Sequence, residues 1–306
     1  MKSLAPIGVS TYSRINHLKQ TIEALQKNTL AKQSELYIFS DAAKKGDEEI
    51  VGKVRNYIHT INGFKEVHVI ERVTNGRVAN NRGGMKQLLD EYGKCIFMED
   101  DVVTAPGYLT FLNDALEFYK HDKKILSVAG FTPINHDIAD DFYIFQRFLG
   151  WGFGIWKDRF DLIDNLPSYN NILKNKELYT SLINMGDDMI RMIKSESNGN
   201  IDALDIKACY LSAKNNLYNV IPSTTLVKNI GLDGSGVHCG ISSQYEPLDL
   251  NMKINFKFFK NIEVDEKIRK ANFNVYKNSH KRKLVLFLHD AGLYPFAKKI
   301  KNFLGI

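Results

Sequence analysis

Apolar residues along this chain recur with two periods. Short unbroken apolar runs bounded by glycine, proline or charge predict strands at residues 6–10, 35–40, 67–71, 95–98, 125–129, 142–145, 218–221 and 225–227. Between them Ile15, Leu18, Ile22 and Leu25 recur at helical spacing, and residues 48–61 read as a second helix. Met85, Leu88, Leu89 and Tyr92 mark a third helix, and Tyr108, Leu112, Ala115 and Tyr119 a fourth, with Pro106 where a first helical turn places it. Residues 160–200 are polar and helical, and Ile206, Cys209, Tyr210 and Ala213 mark a later helix. Strands alternating with helices predict an α/β fold whose mostly parallel sheet is covered on both faces.

One apolar run has an unusual ending. Residues 95–98 lead directly into Glu99, Asp100 and Asp101, and apolar character resumes at Val102 and Val103. A buried strand has no solvent along its length to screen three adjacent carboxylates, so a cation is expected at its exit. If the chain stays extended there, alternation sets Glu99 and Asp101 on one side and Asp100 on the other. The competing reading is a solvated acidic turn.

Other polar segments fall where strands give way to helices. Residues 10–14 (Ser-Thr-Tyr-Ser-Arg) form a turn after the first strand, and ligands of open α/β sheets bind at such carboxyl ends, near unpaired helix N–H groups. Asp41 closes the second strand. Residues 72–84 read as a loop dense in Asn, Gly and Arg, and the guanidinium forks of Arg77 and Arg82 suit phosphate oxygens. Residues 148–156 carry both tryptophans, Trp151 and Trp156, among three glycines. An indole offers a flat apolar face to a sugar, and glycine admits close backbone approach, although aromatic core packing is the simpler reading of Trp156. Asp202 and Asp205 precede or open the later helix, where the dipole favours a carboxylate and capping is the plain alternative. Residues 229–240 set four glycines around Asp233 and His238.

Composition narrows the class without choosing a function. With 306 residues, 44% hydrophobic and 25% charged, the chain is of ordinary globular composition. Its three cysteines, Cys95, Cys209 and Cys239, have neither metal-ligand spacing nor an even count, which suits a reducing cytoplasm. No run approaches the ~18 apolar residues of a membrane span, and the N-terminus has no signal-like pattern. Much of the net charge of +6 lies at the end, where Lys281, Arg282, Lys283, Lys298, Lys299 and Lys301 alternate with apolar residues. Residues 280–304 therefore read as a basic amphipathic tail suited to an anionic membrane surface, which implies a peripheral location, or as a helix docked on its own domain. Nucleic acid is not an expected partner, because these charges lie beside aliphatic residues and not beside stacking aromatics on a sheet.

Together these segments resemble the GT-A type of nucleotide-sugar glycosyltransferase, near the bacterial family-2-like enzymes that build surface polysaccharides such as lipopolysaccharide. The resemblance covers roughly residues 6–240. It implies a Rossmann-like GT-A fold, a mostly parallel mixed sheet flanked by helices with a C-terminal helical extension. The implied division is residues 1–245 (donor half 1–103, acceptor half 104–245) followed by 246–306. Ser10, Thr11, Tyr12 and Arg14 resemble the opening motif that holds base and ribose, and Asp41 resembles the base-contacting acid. Glu99-Asp100-Asp101 resembles a variant DxD motif in which the last acid meets Mn2+ or Mg2+ while Glu99 and Asp100 face the donor; Arg77 and Arg82 would lie near the diphosphate. Gly150-Trp151-Gly152 resembles the segment beside the acceptor, with Phe153 in place of a second tryptophan. Asp205, counted back from Pro222, matches the position of the base, without the flanking tryptophans of related sequences, and Asp202 is second choice. Residues 229–238 resemble a segment whose His238 would contact metal or phosphate, with Val237 in place of a threonine.

The function implied is metal-dependent, inverting transfer of a hexosyl group from a nucleotide-diphosphate sugar to a hydroxyl of a glycan or glycolipid. A cation balances charge growing on the diphosphate, and a carboxylate takes the acceptor proton. Two alternatives remain: an inactive sugar- or lipid-binding protein on the same scaffold, and a sugar nucleotidyltransferase, whose glycine-rich first loop has no counterpart in residues 10–14.

Overall fold

The computed structural model describes residues 3–235, 248–260 and 263–278. The elements run β1 (Ile7–Thr11), α1 (Ile15–Gln26), β2 (Glu35–Ser40), α2 (Glu48–Ile58), β3 (Glu66–Glu71), α3 (Arg77–Tyr92), β4 (Lys94–Glu99), β5 (Val102–Thr104) and α4 (Tyr108–Phe118). They continue with β6 (Ile125–Ala129), β7 (Phe142–Phe145), β8 (Phe153–Trp156), α5 (Lys157–Phe160), α6 (Tyr169–Lys174), α7 (Lys176–Asn184), α8 (Met189–Ser197), α9 (Leu204–Asn215), β9 (Tyr218–Pro222), β10 (Val227–Asn229) and α10 (Glu266–Val275).

Eight strands form one sheet in the order β3-β2-β1-β4-β8-β6-β9-β7. The first four are parallel, β8 runs antiparallel to β4 and β6, β9 is parallel to β6, and β7 is antiparallel to β9. Six strands therefore point one way, giving the mostly parallel mixed sheet expected. β5 and β10 pair separately beside the end of β4.

Strand alternation explains the two layers. Val9, Ile38, Ile96 and Met98 face a core shared with Leu18, Ile22 and Leu25 of α1, Val54 and Ile58 of α2, and Leu112 of α4. Tyr37, Phe39, Cys95 and Phe97 face the opposite core, with Leu88 and Leu89 of α3 and the helices α6 to α9. Trp156 is core, its indole N–H donating to the Leu116 carbonyl at 3.1 Å.

Two segments depart from the pattern reading. The stretch 72–84 is a loop only to Gly76, and α3 begins at Arg77 and passes through Gly83 and Gly84. A Cβ at Gly84 would lie 2.7 Å from the Phe39 ring, so this glycine admits helix against strand and does not end the helix. The glycine-tryptophan segment likewise becomes β8 at Phe153, and Gly154 admits Leu116 against the sheet.

The described part of the C-terminal extension shares the first core. Phe256 and Phe258 pack on Phe111 at 5.0 and 5.3 Å between centroids, and Phe258 and Phe259 pack on Phe142. At Gly107 a Cβ would meet the Lys253 carbonyl oxygen at 2.0 Å, a position only glycine fills. α10 docks through a buried polar chain: Thr132 and Tyr143 hydroxyls 2.7 Å apart, the Tyr143 hydroxyl donating to Asn272, and the Asn272 amide 3.2 Å from His136 Nε2. Among the described residues no helix is long and apolar enough to cross a membrane. Val237, His238, Cys239 and the basic tail, residues 280–304, lie outside the described residues.

Candidate active site

The order β3-β2-β1-β4 runs outward in both directions from β1, and a crevice opens at the carboxyl ends where such an order reverses. Ser10 lies opposite Glu99 in the β1–β4 ladder and Thr11 opposite Ser40 in the β1–β2 ladder, so the β1–α1 turn, the acid cluster and Asp41 share that edge. Two helices also begin there. α3 returns the chain to β4 and α9 returns it to β9, so their N-termini, with Arg77 and Asp205, lie at the strands' carboxyl ends.

The extended chain ends at Glu99, and the backbone turns through Asp100 and Asp101. The alternation expected for a continuing strand is therefore lost, and Asp100 and Asp101 both meet Arg14. Its Nη2 lies 2.6 Å from Asp100 Oδ1 and 2.7 Å from Asp101 Oδ2. The cation anticipated from sequence is an arginine of the chain itself. Burial works against the guanidinium's charge, and the two carboxylates more than restore it, so Arg14 is held more firmly protonated than usual.

The three acids differ. Asp100 is buried, and its other oxygen accepts from the Thr11 hydroxyl at 2.8 Å and the Tyr12 N–H at 3.4 Å, while its carbonyl accepts from Thr21. Burial raises its pKa against Arg14 and Thr11, and its bonds fix the β1–α1 turn. Asp101 is only 5% exposed, and its Oδ1 has no hydrogen-bond partner. Its carbonyl accepts from the Ile230 N–H at 2.8 Å, and a Cβ at Gly231 would meet its Oδ2 at 2.1 Å. Gly231 thereby lets the strand-exit loop close over the arginine and the acid. Glu99 turns away into the open crevice, accepting from Asn81 at 3.1 Å. Water reaches this carboxylate from one side while protein crowds the others; burial first, then Asp101 and Asp100, push its pKa up to about 7 against Arg77 and Arg14.

Asp41 is buried and anchors the loop before α3. It accepts from the Gly76 N–H at 2.9 and 3.1 Å, the Asn75 amide at 3.2 Å and the Ala42 N–H at 2.9 Å. Tyr12 donates to Asp47 at 2.5 Å and its hydroxyl accepts the Lys44 N–H, closing the rim over α2.

Asp205, half-buried in the first turn of α9, has its pKa raised by burial against the Ile206 N–H and the charges of Arg147 and Arg77. Arg77 thus lies within electrostatic reach of both Glu99 and Asp205. Asp202 sits differently, with Lys207 Nζ at 2.8 Å and Arg82 Nη2 at 2.7 Å. The Lys207 bond foremost, with Arg82 adding, holds it below the usual carboxylate range against burial. Arg82 is therefore committed to Asp202, while Arg77 is exposed.

Phe153 ends the β8 ladders, paired with both Phe97 and Ala129, and Trp151 precedes it beside Phe131. Its ring is half-buried, 4.5 Å from that of Phe131. Gly152 adopts φ +67, which favours glycine, and its carbonyl accepts the Gly130 N–H.

Pattern reading passed over Asn75, Asn81 and Gly231. The density of Asn and Gly in residues 72–84 signalled the first two, but their partners Asp41 and Glu99 are remote in sequence. Gly231 falls in the resembling segment 229–238, but nothing in the sequence gives it a role of its own.

No protein-family model matches the chain, and no curated protein matches it. Solved structures do. It is similar to GalNAc-T7 crystallised with UDP, GalNAc and Mn2+, at 14% identity over 79% of this chain and 47% of that one, with a TM-score of 0.46. It is similar to S. aureus TarS at 14% identity over 73% of this chain and 36% of that one, TM-score 0.38. It is also similar to the mannosyltransferase PcManGT from Pyrobaculum calidifontis in complex with GDP-Man and Mn2+, at 13% identity over 53% and 46%, TM-score 0.34. The match thus spans less than half of each of those chains. Identities this low leave the function of the site to its own geometry.

Proposed function

We propose that the chain is a GT-A glycosyltransferase that moves a hexosyl group from a nucleotide-diphosphate sugar to a hydroxyl of a glycan or glycolipid, with inversion. The observation that carries this reading is that two unlike carboxylate sites stand at the carboxyl ends of the strands, one at the exit of β4 and one in the first turn of α9. At one, Asp100 and Asp101 hold Arg14 and leave a buried carboxylate oxygen unpartnered. At the other, Asp205 has a raised pKa and no ion-pair partner within salt-bridge distance among the described residues.

The donor end follows from charge. Arg14 and Arg77 offer forks to phosphate oxygens, and the residues around Asp41 and Tyr12 frame the space for base and ribose. Mn2+ or Mg2+ fits at Asp101, whose orphaned Oδ1 is a hard anionic ligand, with His238 a second candidate beyond the described residues. Among the described residues no group of three or more His, Cys, Asp or Glu could hold a metal, so the donor's own diphosphate would complete its shell. Bound there, the metal would offset charge developing on the leaving diphosphate.

The acceptor end is the work of Trp151 and Asp205. The half-buried indole, just before β8, gives a sugar ring a face to stack on. Asp205 takes the acceptor hydroxyl proton, and a carboxylate of raised pKa is a better proton acceptor than an ordinary one. Asp202, engaged by Lys207 and Arg82, is the weaker candidate. The basic tail, residues 280–304, suits an anionic membrane surface carrying a lipid-linked acceptor in surface-polysaccharide synthesis.

A thermal-shift screen of nucleotide sugars with and without Mn2+ tests the reading. One donor should raise the melting temperature more with metal than without. In Asp101→Ala the metal-dependent part should vanish. Calorimetric donor affinity that is the same with and without metal in the wild-type protein overturns the metal role. Donor that binds but is never transferred to any acceptor or hydrolysed identifies the inactive binding protein instead.

A further inference from the structure

Arg14 occupies the acid cluster with one nitrogen. Nη2 bridges Asp100 and Asp101, while among the described residues Nη1 and Nε donate no hydrogen bond. Asp100 has a second set of partners in Thr11 and Tyr12 and stays fixed whatever Arg14 does. Asp101 has none, since its Oδ2 meets only Arg14 and its Oδ1, deeply buried, meets nothing. A divalent metal at Asp101 would stand within a few ångströms of this guanidinium, and two cations so close repel strongly. The metal and the arginine therefore compete for one carboxylate.

We propose that Arg14 is a resident counter-ion that closes the cluster to divalent metal until a nucleoside diphosphate draws the guanidinium away from Asp101. The diphosphate gives the idle Nη1 and Nε a bidentate partner of higher charge, and it offers the metal further oxygens. Donor and metal then enter as a unit. Gly231 makes the closed state possible, because a Cβ there would stand 2.8 Å from Nη1 as well as against Asp101. This inference rests on Asp101 being the metal's carboxylate.

Manganese binding, read from the loss of the free Mn2+ paramagnetic resonance signal, tests it without activity. Without nucleotide, Arg14→Gln should bind Mn2+ at least tenfold more tightly than wild type. With the best of the five common nucleoside diphosphates, wild-type affinity should rise by more than tenfold and that of the variant by less, since coupling is reciprocal. Equal Mn2+ affinity of wild type and variant without nucleotide overturns the lock; if nucleotide-dependent binding persists, the metal role of Asp101 stands. No Mn2+ binding under any of these conditions overturns both. Should Arg14→Gln fail to fold, the wild-type protein decides: the Arg14 side-chain resonances, assigned by comparison with Arg14→Lys, should shift on adding Mg2+ only when a nucleoside diphosphate is present. A shift with Mg2+ alone overturns the proposal.

Discussion

Asp205 and Asp202 are three residues apart in sequence and have opposite surroundings. Lys207 and Arg82 hold one ionised, and burial in a weakly opposed field raises the other. If Asp205 takes the acceptor proton, Asp205→Asn should lower the transfer rate by about 10²–10⁴-fold, the range of general-base contributions, and leave donor affinity within a few-fold. Single-turnover kinetics with calorimetry separates the two. Near-normal turnover removes Asp205 from the chemistry. At this scale the sequence was informative about which residue types gather and silent about how they pair. The need for a cation beside three carboxylates was legible, but Arg14 lies 86 and 87 residues away from its two partners. Alternation misplaced the acids because it assumes a strand, and the strand stops at Glu99.

At the scale of elements, apolar periodicity located most strands within a residue or two, because a strand buried on both faces has little choice of composition. It failed where a glycine serves packing. Gly84 reads as a helix breaker, yet α3 runs through it because Phe39 leaves no room for a Cβ. Gly84→Ala sets two effects against each other: about 1 kcal/mol gained in helix propensity and about 1–3 kcal/mol lost to overpacking against a fully buried ring. Overpacking should win, so chemical denaturation should show a net loss of stability. The docking of α10 carries a pH dependence. Asn272 donates toward His136 Nε2, which requires an unprotonated nitrogen, and burial lowers the His136 pKa, with Asp265 opposing. The unfolded chain binds this proton more readily than the folded one, so the stabilisation is present above the unfolded value of about 6.5 and lost as pH falls below it. Melting temperature should therefore drop between pH 7 and 5, and His136→Gln should flatten that drop.

For the whole molecule, the boundary that matters is where the chain can be cut. Removal of everything after Asn278 keeps every described residue; if the tail is a membrane surface element, sedimentation with anionic liposomes should fall with little change in melting temperature, whereas a lower melting temperature with unchanged sedimentation identifies the docked helix. Removal of everything after Glu246 should instead unfold or aggregate the protein, because Phe256, Phe258 and Phe259 cover Phe111 and Phe142. Circular dichroism and size-exclusion profiles distinguish the cases. That cover was not legible in sequence: the segment 248–260 has no regular element, and it binds through backbone contacts such as the Asn251 N–H on the Thr225 carbonyl.

The clasp of Lys253 over Gly107 also has a meaning in time. Those residues are far apart in sequence, and the Tyr119 hydroxyl reaches the Phe259 carbonyl across 140 residues. During synthesis the α4 face leaves the ribosome early and waits, apolar and uncovered, until its partner emerges. At about 5–20 residues per second that exposure lasts several seconds to tens of seconds, long enough for a chaperone to bind.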